Sequence, residues 1–261
     1  MKQIFILLMV ATCATMFTAC SDDDNDVTRG ANGEKLVSKI AYTHKEENGD
    51  TWKEVYTFSY DKQGRIIKET GDAEEEDYYT STYTYPDEKI VCYTEGVDRS
   101  NNEPYTNEIT YMLNSDGLIV YSKELEAVTF TYKDGKLITT KGETSYMNNK
   151  ITWKDNNIIS VNNEERGIST YKYTDKTSKA NINLVKTIQD INSFLSNRYG
   201  IMSNNLVESE KFESKDGERK SECQYQYQFD KDGYVTKIIQ ESTYNDAGNI
   251  ESNSVICTIE Y

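Results

Sequence analysis

Phe58-Ser59-Tyr60-Asp61-Lys62-Gln63-Gly64-Arg65-Ile66-Ile67 runs from an aromatic alternation through a turn to an aliphatic pair, and the chain repeats that order. It returns as Tyr111-Met112-Leu113-Asn114-Ser115-Asp116-Gly117-Leu118-Ile119 and as Phe130-Thr131-Tyr132-Lys133-Asp134-Gly135-Lys136-Leu137-Ile138. Trp153-Lys154-Asp155-Asn156-Asn157-Ile158-Ile159 puts Asn where Gly stands elsewhere, and Tyr85-Pro86-Asp87-Glu88-Lys89-Ile90-Val91 lacks the Gly. Phe229-Asp230-Lys231-Asp232-Gly233-Tyr234-Val235 and Tyr244-Asn245-Asp246-Ala247-Gly248-Asn249-Ile250 are the last copies. Asp or Asn at the first place of a turn bonds back to the backbone, Gly three later takes the left-handed conformation, and Asn replaces it best. Each copy predicts one β-hairpin corner.

The flanks alternate with period two. Cys223, Tyr225, Tyr227 and Phe229 share one face and Gln224, Gln226 and Gln228 the other; Val255, Cys257, Ile259 and Tyr261 stand opposite Ser254, Ile256, Thr258 and Glu260. One side is buried and one is wet. A dozen or more such strands exceed the roughly 10 that an open sheet holds without curling, so the expected fold is all-β, an antiparallel meander curling into a barrel-like sheet. Lys, Glu and Gln opposite the aromatics argue against a membrane-spanning wall, whose outer face needs an apolar band about 25 Å tall. From Ile182 to Tyr199 the spacing of Leu184, Val185, Ile188, Ile191, Phe194 and Leu195 predicts one inserted amphipathic helix, stopped at Gly200 and covering an edge or end of the sheet.

Residues 1–19 form a signal peptide: a positive start at Lys2, an apolar stretch from Ile4 to Val10, then small residues up to Ala19. Phe17-Thr18-Ala19-Cys20 is similar to the lipobox of bacterial lipoproteins, with Phe17 in place of the usual Leu, which makes Cys20 the expected lipidation site and outer-membrane lipid the expected partner. Cys13 is the rival, but Thr12 precedes it and the apolar stretch would be short. Diacylation is enough for stable attachment where one chain is marginal. Residues 20–34 read as an acidic flexible tether, opened by Ser21-Asp22-Asp23-Asp24-Asn25-Asp26, and 35–261 as one β domain. The acidic run lacks the Gly and Glu spacing of an EF-hand.

The chain of 261 residues carries 29 basic and 44 acidic side chains; loss of Lys2 with the leader leaves 28 against 44, a net charge of −16. Nucleic acid and anionic membrane surfaces would be repelled. Apolar residues other than Tyr, with Gly added, make up roughly a third of the chain, below the usual ~45–50%, so the 21 tyrosines must supply part of the core. Three cysteines follow Cys20, namely Cys92, Cys223 and Cys257, each in a β-like run, and are expected as buried thiols. A Cys223–Cys257 bridge is disfavoured because a meander puts a whole strand between them. His44 is the sole histidine, expected at a strand end facing water; with it alone, no His-based zinc site or catalytic triad can be assembled with a choice of bases. No enzyme, metal or cofactor is expected, and a pair of carboxylates facing each other across a cleft is the residual catalytic option.

The lipobox, the acidic run, the Asp-x-x-Gly hairpins and Tyr199-Gly200-Ile201-Met202-Ser203-Asn204-Asn205-Leu206-Val207 together resemble a family of Bacteroidetes lipoproteins of unknown function with a porin-like fold. The likeness covers about residues 36 to 261; the hairpins also resemble the YD repeats of large secreted toxins, whose long regular array is absent here. The resemblance implies a meander closing toward a barrel, and its acidic export run implies display on the cell surface, the periplasmic leaflet being the alternative. It carries no catalytic or binding residues with it. The functional expectation is a non-enzymatic binding protein for a glycan or peptide, with Trp52, outside the repeat, and Tyr78 and Tyr79 as stacking candidates. Tyrosines at period two before each turn, and Trp153, read instead as core. The alternative is a structural or assembly component docking onto an unidentified partner protein. The loop Asp72-Ala73-Glu74-Glu75-Glu76-Asp77 reads as solvated rather than calcium-binding.

Overall fold

Every corner turns the chain back beside itself. The computed structural model describes residues 29–30, 33–74, 77–125, 127–185, 187–188 and 193–261. The signal peptide, Cys20, most of the tether, and Glu75 and Glu76 of the acidic loop lie outside the described residues. The strands are β1 (Lys39–Lys45), β2 (Thr51–Tyr60), β3 (Ile66–Ala73), β4 (Asp77–Thr84), β5 (Lys89–Asp98), β6 (Glu103–Leu113), β7 (Ile119–Ser122) and β8 (Val128–Lys133). The second half adds β9 (Lys136–Lys141), β10 (Asn149–Lys154), β11 (Asn157–Asn163), β12 (Gly167–Thr177), β13 (Asn205–Ser214), β14 (Arg219–Phe229), β15 (Val235–Asp246) and β16 (Asn249–Glu260). Each pairs antiparallel with the next, and β1 pairs with β16 from Lys39↔Glu260 to Lys45↔Ser254, which closes a barrel of 16 strands.

Six of the seven motif copies sit at one end of this barrel; the copy at Asn245–Gly248 caps the other. The Oδ1 atoms of Asp61, Asn114 and Asp230 each accept two backbone N–H groups, from Gln63 and Arg65, Asp116 and Leu118, and Asp232 and Tyr234, at 2.9–3.0 Å. Gly64, Gly117 and Gly233 are left-handed, with φ of 74°, 74° and 82°. In the corner that has Asn in place of Gly, Asp155 and Asn156 take φ of 50° and 62°, the two-residue geometry that Asn tolerates best.

Five of the seven copies carry a β-bulge just after the turn, two residues set against one. Tyr60 pairs with Ile66 while Ser59 pairs with Lys68, leaving Ile67 extra, and the same slip recurs opposite Leu113, Tyr132, Trp153 and Phe229. A bulge takes a residue out of the ladder and leaves backbone groups to be satisfied elsewhere. The aromatic on the neighbouring strand supplies the donor. The Tyr60, Tyr85, Tyr132, Tyr173 and Tyr227 hydroxyls donate to the carbonyls of Val37, Ile66, Ile119, Ile158 and Val207, all at 2.6 Å. Trp153 Nε1 does so to Leu137 at 2.8 Å and Tyr261 to Val235 at 3.0 Å. The aromatic supply thus forms a ring that locks the turn end of the barrel.

Register carries one face round the whole wall: Phe58, Tyr83, Cys92, Tyr111, Phe130, Ile151, Tyr171, Ile238 and Cys257 point inward into a single buried cluster. Outward positions include Lys53 and Thr57 on β2, Thr80 and Thr82 on β4, Lys150 and Thr152 on β10, and Gln224, Gln226 and Gln228 on β14, with exposed Tyr78, Tyr93, Met112, Ile168, Ile250 and Ile256 scattered among them. An outer face that mixes charged and polar with scattered apolar side chains, around a mainly apolar interior, differs from a membrane-spanning barrel, whose lipid-facing side is an apolar band and whose lumen is polar. No helix among the described residues is long and apolar enough to cross a membrane.

A wall of 16 strands is wide enough to leave a channel. Here the connection between β12 and β13 fills its turn end. The amphipathic helix expected over 182–199 is not what the described residues form: they show bends and one 3-10 helix, Ser193–Arg198, kinked at Leu195. The physical reason is that the segment lies inside the barrel, with apolar wall around it, so one polar and one apolar face would satisfy nothing. Phe194 packs on Tyr56 and Phe58, and Tyr199 on Phe130. Its backbone is bonded by the wall: Tyr171 donates to the Thr187 carbonyl at 2.7 Å, and Ile201 N–H to the Gly135 carbonyl at 2.8 Å. It is an internal plug rather than a cover for an edge. Cys92, Cys223 and Cys257 are free thiols; Cys223 pairs with Ser242 of β15 and Cys257 with Ile238, so that strand separates them as expected.

Candidate functional site

The plug closes the turn end and leaves the other open. Along β16 the inward residues pass from exposed Glu251 and Asn253 through half-buried Val255 to buried Cys257 and Ile259. On β6 the inward Asn107 is exposed and Tyr111 buried. Solvent therefore enters the barrel from the end opposite the plug, and the interior is a cup.

Below the mouth, a cavity of about 300 Å³ lies between the plug residues Leu184 and Val185 and the arc of wall formed by β1 and β13–β16. Tyr42, Glu210, Cys223, Tyr225, Gln240 and Cys257 line it. Tyr171 shares its one hydroxyl proton between the Thr187 carbonyl at 2.7 Å and Glu210 Oε1 at 3.2 Å, and the hydroxyls of Ser169 and Tyr225 also reach this carboxylate. Burial raises the Glu210 carboxyl above the usual range, and these three hydrogen bonds offset it only in part. Burial likewise raises Tyr42 and Tyr225, and pushes the Cys257 thiol up to about 12. These phenols and thiols stay protonated and act as donors.

A second buried carboxylate, Glu69 on β3, is 3% exposed and accepts from the Tyr79 and Tyr83 hydroxyls at 2.6 and 2.7 Å. Its pKa too is raised, by burial first. Glu69 and Glu210 belong to separate arcs of the wall, each bonded to its own tyrosines. At the mouth, His44 stacks on Trp52 at 3.6 Å with the rings 2° from parallel, and its Nε2 lies 3.1 Å from Glu54 Oε1. Tyr56 donates to the other oxygen of Glu54 at 2.6 Å. His44 thus faces the interior of the mouth, not the outer solvent expected for a strand end.

The three stacking candidates fall in different places. Trp52 points inward and one face of its indole is already covered by His44. Tyr79 is inward, lies over Gly71 and is committed to Glu69; its neighbour Tyr78 faces outward and is 46% exposed. They do not converge on one surface. The sequence reading places Tyr225 in an inward row as core and does not single out Glu210; the signal is a carboxylate in phase with that row, obscured by the slip between Lys172 and Tyr173. Of the acidic loop, Asp72 is 2.6 Å from Arg99 and Glu74 accepts from Lys53 N–H at 3.0 Å. No group of three or more metal-ligating side chains occurs among the described residues.

A second concavity, about 640 Å³, lies outside the wall over β12–β15. Its floor holds the cross-strand ion pairs Lys211–Glu222 and Lys220–Glu213, both at 2.9 Å, with Ile168 at its edge.

No family model matches the chain, and no curated protein matches its sequence. Among solved structures it is similar to a porin-like protein from Bacteroides uniformis, at 19% identity and a TM-score of 0.60, over 86% of this chain and 96% of that one. A porin-like protein from Bacteroides vulgatus aligns over 87% of this chain and 98% of its own at 14% identity and a TM-score of 0.31. The likeness to the B. uniformis protein is one of fold, a porin-like barrel.

Proposed function

We propose that the chain is a lipid-anchored, non-enzymatic binding protein of the outer membrane, displayed at the cell surface, that takes a ligand such as a glycan or peptide fragment into the cup. The observation that carries this reading is the barrel itself: an outer wall whose strands carry Lys, Thr and Gln among scattered apolar side chains, an apolar interior, one end plugged and the other open. The leader and Cys20 supply the attachment. The place where the chain joins the barrel supports it as well. Lys35, the first well-tied residue after the tether, is 2.6 Å from Asp230 and 2.8 Å from Asp232 in a corner at the plugged end. The anchor thus enters on the closed side and the mouth points away from the membrane. The barrel stands on the bilayer by its plugged base.

Protease treatment of intact cells, with a periplasmic protein as control and Cys20→Ala as the unanchored reference, tests this. Cleavage on intact cells and release of Cys20→Ala into the soluble fraction are expected. Protection on intact cells with cleavage after lysis would put the protein on the periplasmic leaflet. A second reading, an assembly component of the envelope, is favoured by the outer concavity over β12–β15 and the 38% exposed Ile168 beside it. Cross-linking from Lys211 to a discrete envelope protein would support it over ligand capture.

A further inference from the structure

The inward face of the barrel wall, among the described residues, carries acids and no lysine, whereas the outward face carries both signs, as in the Lys211–Glu222 and Lys220–Glu213 pairs. Inward strand positions carry Glu54, Glu69, Asp77, Asp98, Glu210 and Glu251, whereas the strand lysines, such as Lys53, Lys150 and Lys211, are on the outside. Among the described residues, no lysine occupies an inward position between mouth and plug, and Arg219, opposite Asp246, stands at the rim. A cleft lined by one sign focuses the field and concentrates ions of the other. Below the mouth, Glu210 is the carboxylate that lines the cavity, and the partners named for it, Tyr171, Ser169 and Tyr225, are all neutral hydroxyls. Facing it are the aromatic rings of Tyr42 and Tyr225. A carboxylate with no cationic partner beside aromatic faces, in a cavity at the low end of the ~300–1,000 Å³ range of ligand sites, is an arrangement that recognises a cation.

Resting on the reading of the barrel as a ligand-taking cup, we propose that its ligand is a small organic cation, a primary, guanidino or quaternary amine, seated against Glu210 and the rings of Tyr42 and Tyr225 on the mouth side of the plug. The charged nitrogen takes the place of the missing counter-ion, and its apolar part lies on Leu184 and Val185. The acidic mouth draws the cation in, and a neutral molecule of the same shape gains neither term. Ionisation of Glu210, which burial opposes, is favoured once the cation is bound.

Titration calorimetry on the full chain with putrescine, agmatine and choline, each set against a neutral isostere such as 3,3-dimethylbutan-1-ol for choline, tests the proposal. At least one cation should bind at least tenfold more tightly than its isostere. Glu210→Gln should weaken it at least tenfold. Val255→Lys, which tethers an ammonium within the same cavity, should abolish it, and this variant decides the matter if Glu210→Gln fails to fold. Equal binding of cation and isostere, or affinity unchanged by these substitutions, overturns the cation assignment and leaves the cup reading standing. Binding of neutral oligosaccharides or peptides alone does the same. If no probe of any charge binds, the cup reading falls with it.

Discussion

The ring of aromatic donors at the plugged end makes a quantitative claim. Tyr85, Tyr132 and Tyr227 each donate one hydroxyl, at 2.6 Å, to a carbonyl at the start of a neighbouring strand. Phenylalanine keeps the ring and its packing and removes the donor alone, so that a half-buried carbonyl beside a bulge loses its partner. The net worth of such a bond is about 1 kcal/mol, and leaving the acceptor unsatisfied brings the cost to about 1–3 kcal/mol. For a domain of this size each kcal/mol lowers Tm by about 2–4 °C. The three positions lie on β4's end, β8 and β14, share no partner, and should add, giving the triple variant a loss of at least about 3 kcal/mol and a Tm lowered by about 6–12 °C. Thermal melts and urea midpoints of the single and triple Tyr→Phe variants measure this. Tyr93→Phe, whose ring is outward and 41% exposed, is the control and should stay within about 0.5 kcal/mol of the parent. If Tyr85→Phe, Tyr132→Phe and Tyr227→Phe melt together with Tyr93→Phe, the donors do not hold the bulges and the account of the repeat is wrong.

Further outcomes follow from the same geometry. Gly167 has φ of 130°, and a Cβ there would stand 2.1 Å from the Glu213 carbonyl oxygen, so Gly167→Ala should cost at least about 2 kcal/mol in urea midpoint stability, whereas Gly49→Ala, with φ of 92° and open space, should cost no more than about 1. Glu69, raised by burial, binds more protons folded than unfolded, so its contribution to stability falls as pH rises from the ordinary carboxylate range through its folded pKa. Glu69→Gln should therefore gain relative to the parent between pH 4 and 7; a constant difference across that range would refute this. Asp61 has the opposite sign: burial pushes it up, but hydrogen bonds from Arg65 and Gln63 outweigh that and hold it low, so its contribution is lost as pH falls through its folded pKa, and Asp61→Asn should cost more at pH 7 than at pH 3. Cys92, Cys223 and Cys257, all raised by burial, should react with a thiol reagent at pH 8 far more slowly in the native protein than in urea.

The hairpins were legible because their cause is local. Asp61 bonds to residues two and four ahead, and Gly64 needs only its own φ, so a stretch of ten residues states the whole corner. The inward row of Cys223, Tyr225, Tyr227 and Phe229 was legible for the same reason, since alternation is a property of one strand. Closure was not, because the meeting of Lys39 with Glu260 joins the first strand to the last and no local pattern encodes it. The aliphatic pair was visible as a pair, but its meaning as a bulge depends on the aromatic of the next strand, which takes up the carbonyl. The plug misled for a related reason. Leu184, Ile188 and Leu195 fall at helical spacing, but that spacing implies a helix only if one side of the segment meets water, and here each residue meets a different part of the same wall. Glu210 lay beyond reach on both counts. The slip at Tyr173 shifts its phase, and a carboxylate among 44 acidic residues becomes distinctive only once the barrel shows it facing inward with no lysine beside it. What local pattern encodes in this chain is the wall, and what the wall encloses, the plug and the cavity beside it that Glu210 lines, is set by contacts between residues far apart in sequence. Substitutions that change ligand capture without changing the melt should therefore cluster on inward positions of β13–β16 and not in the repeat.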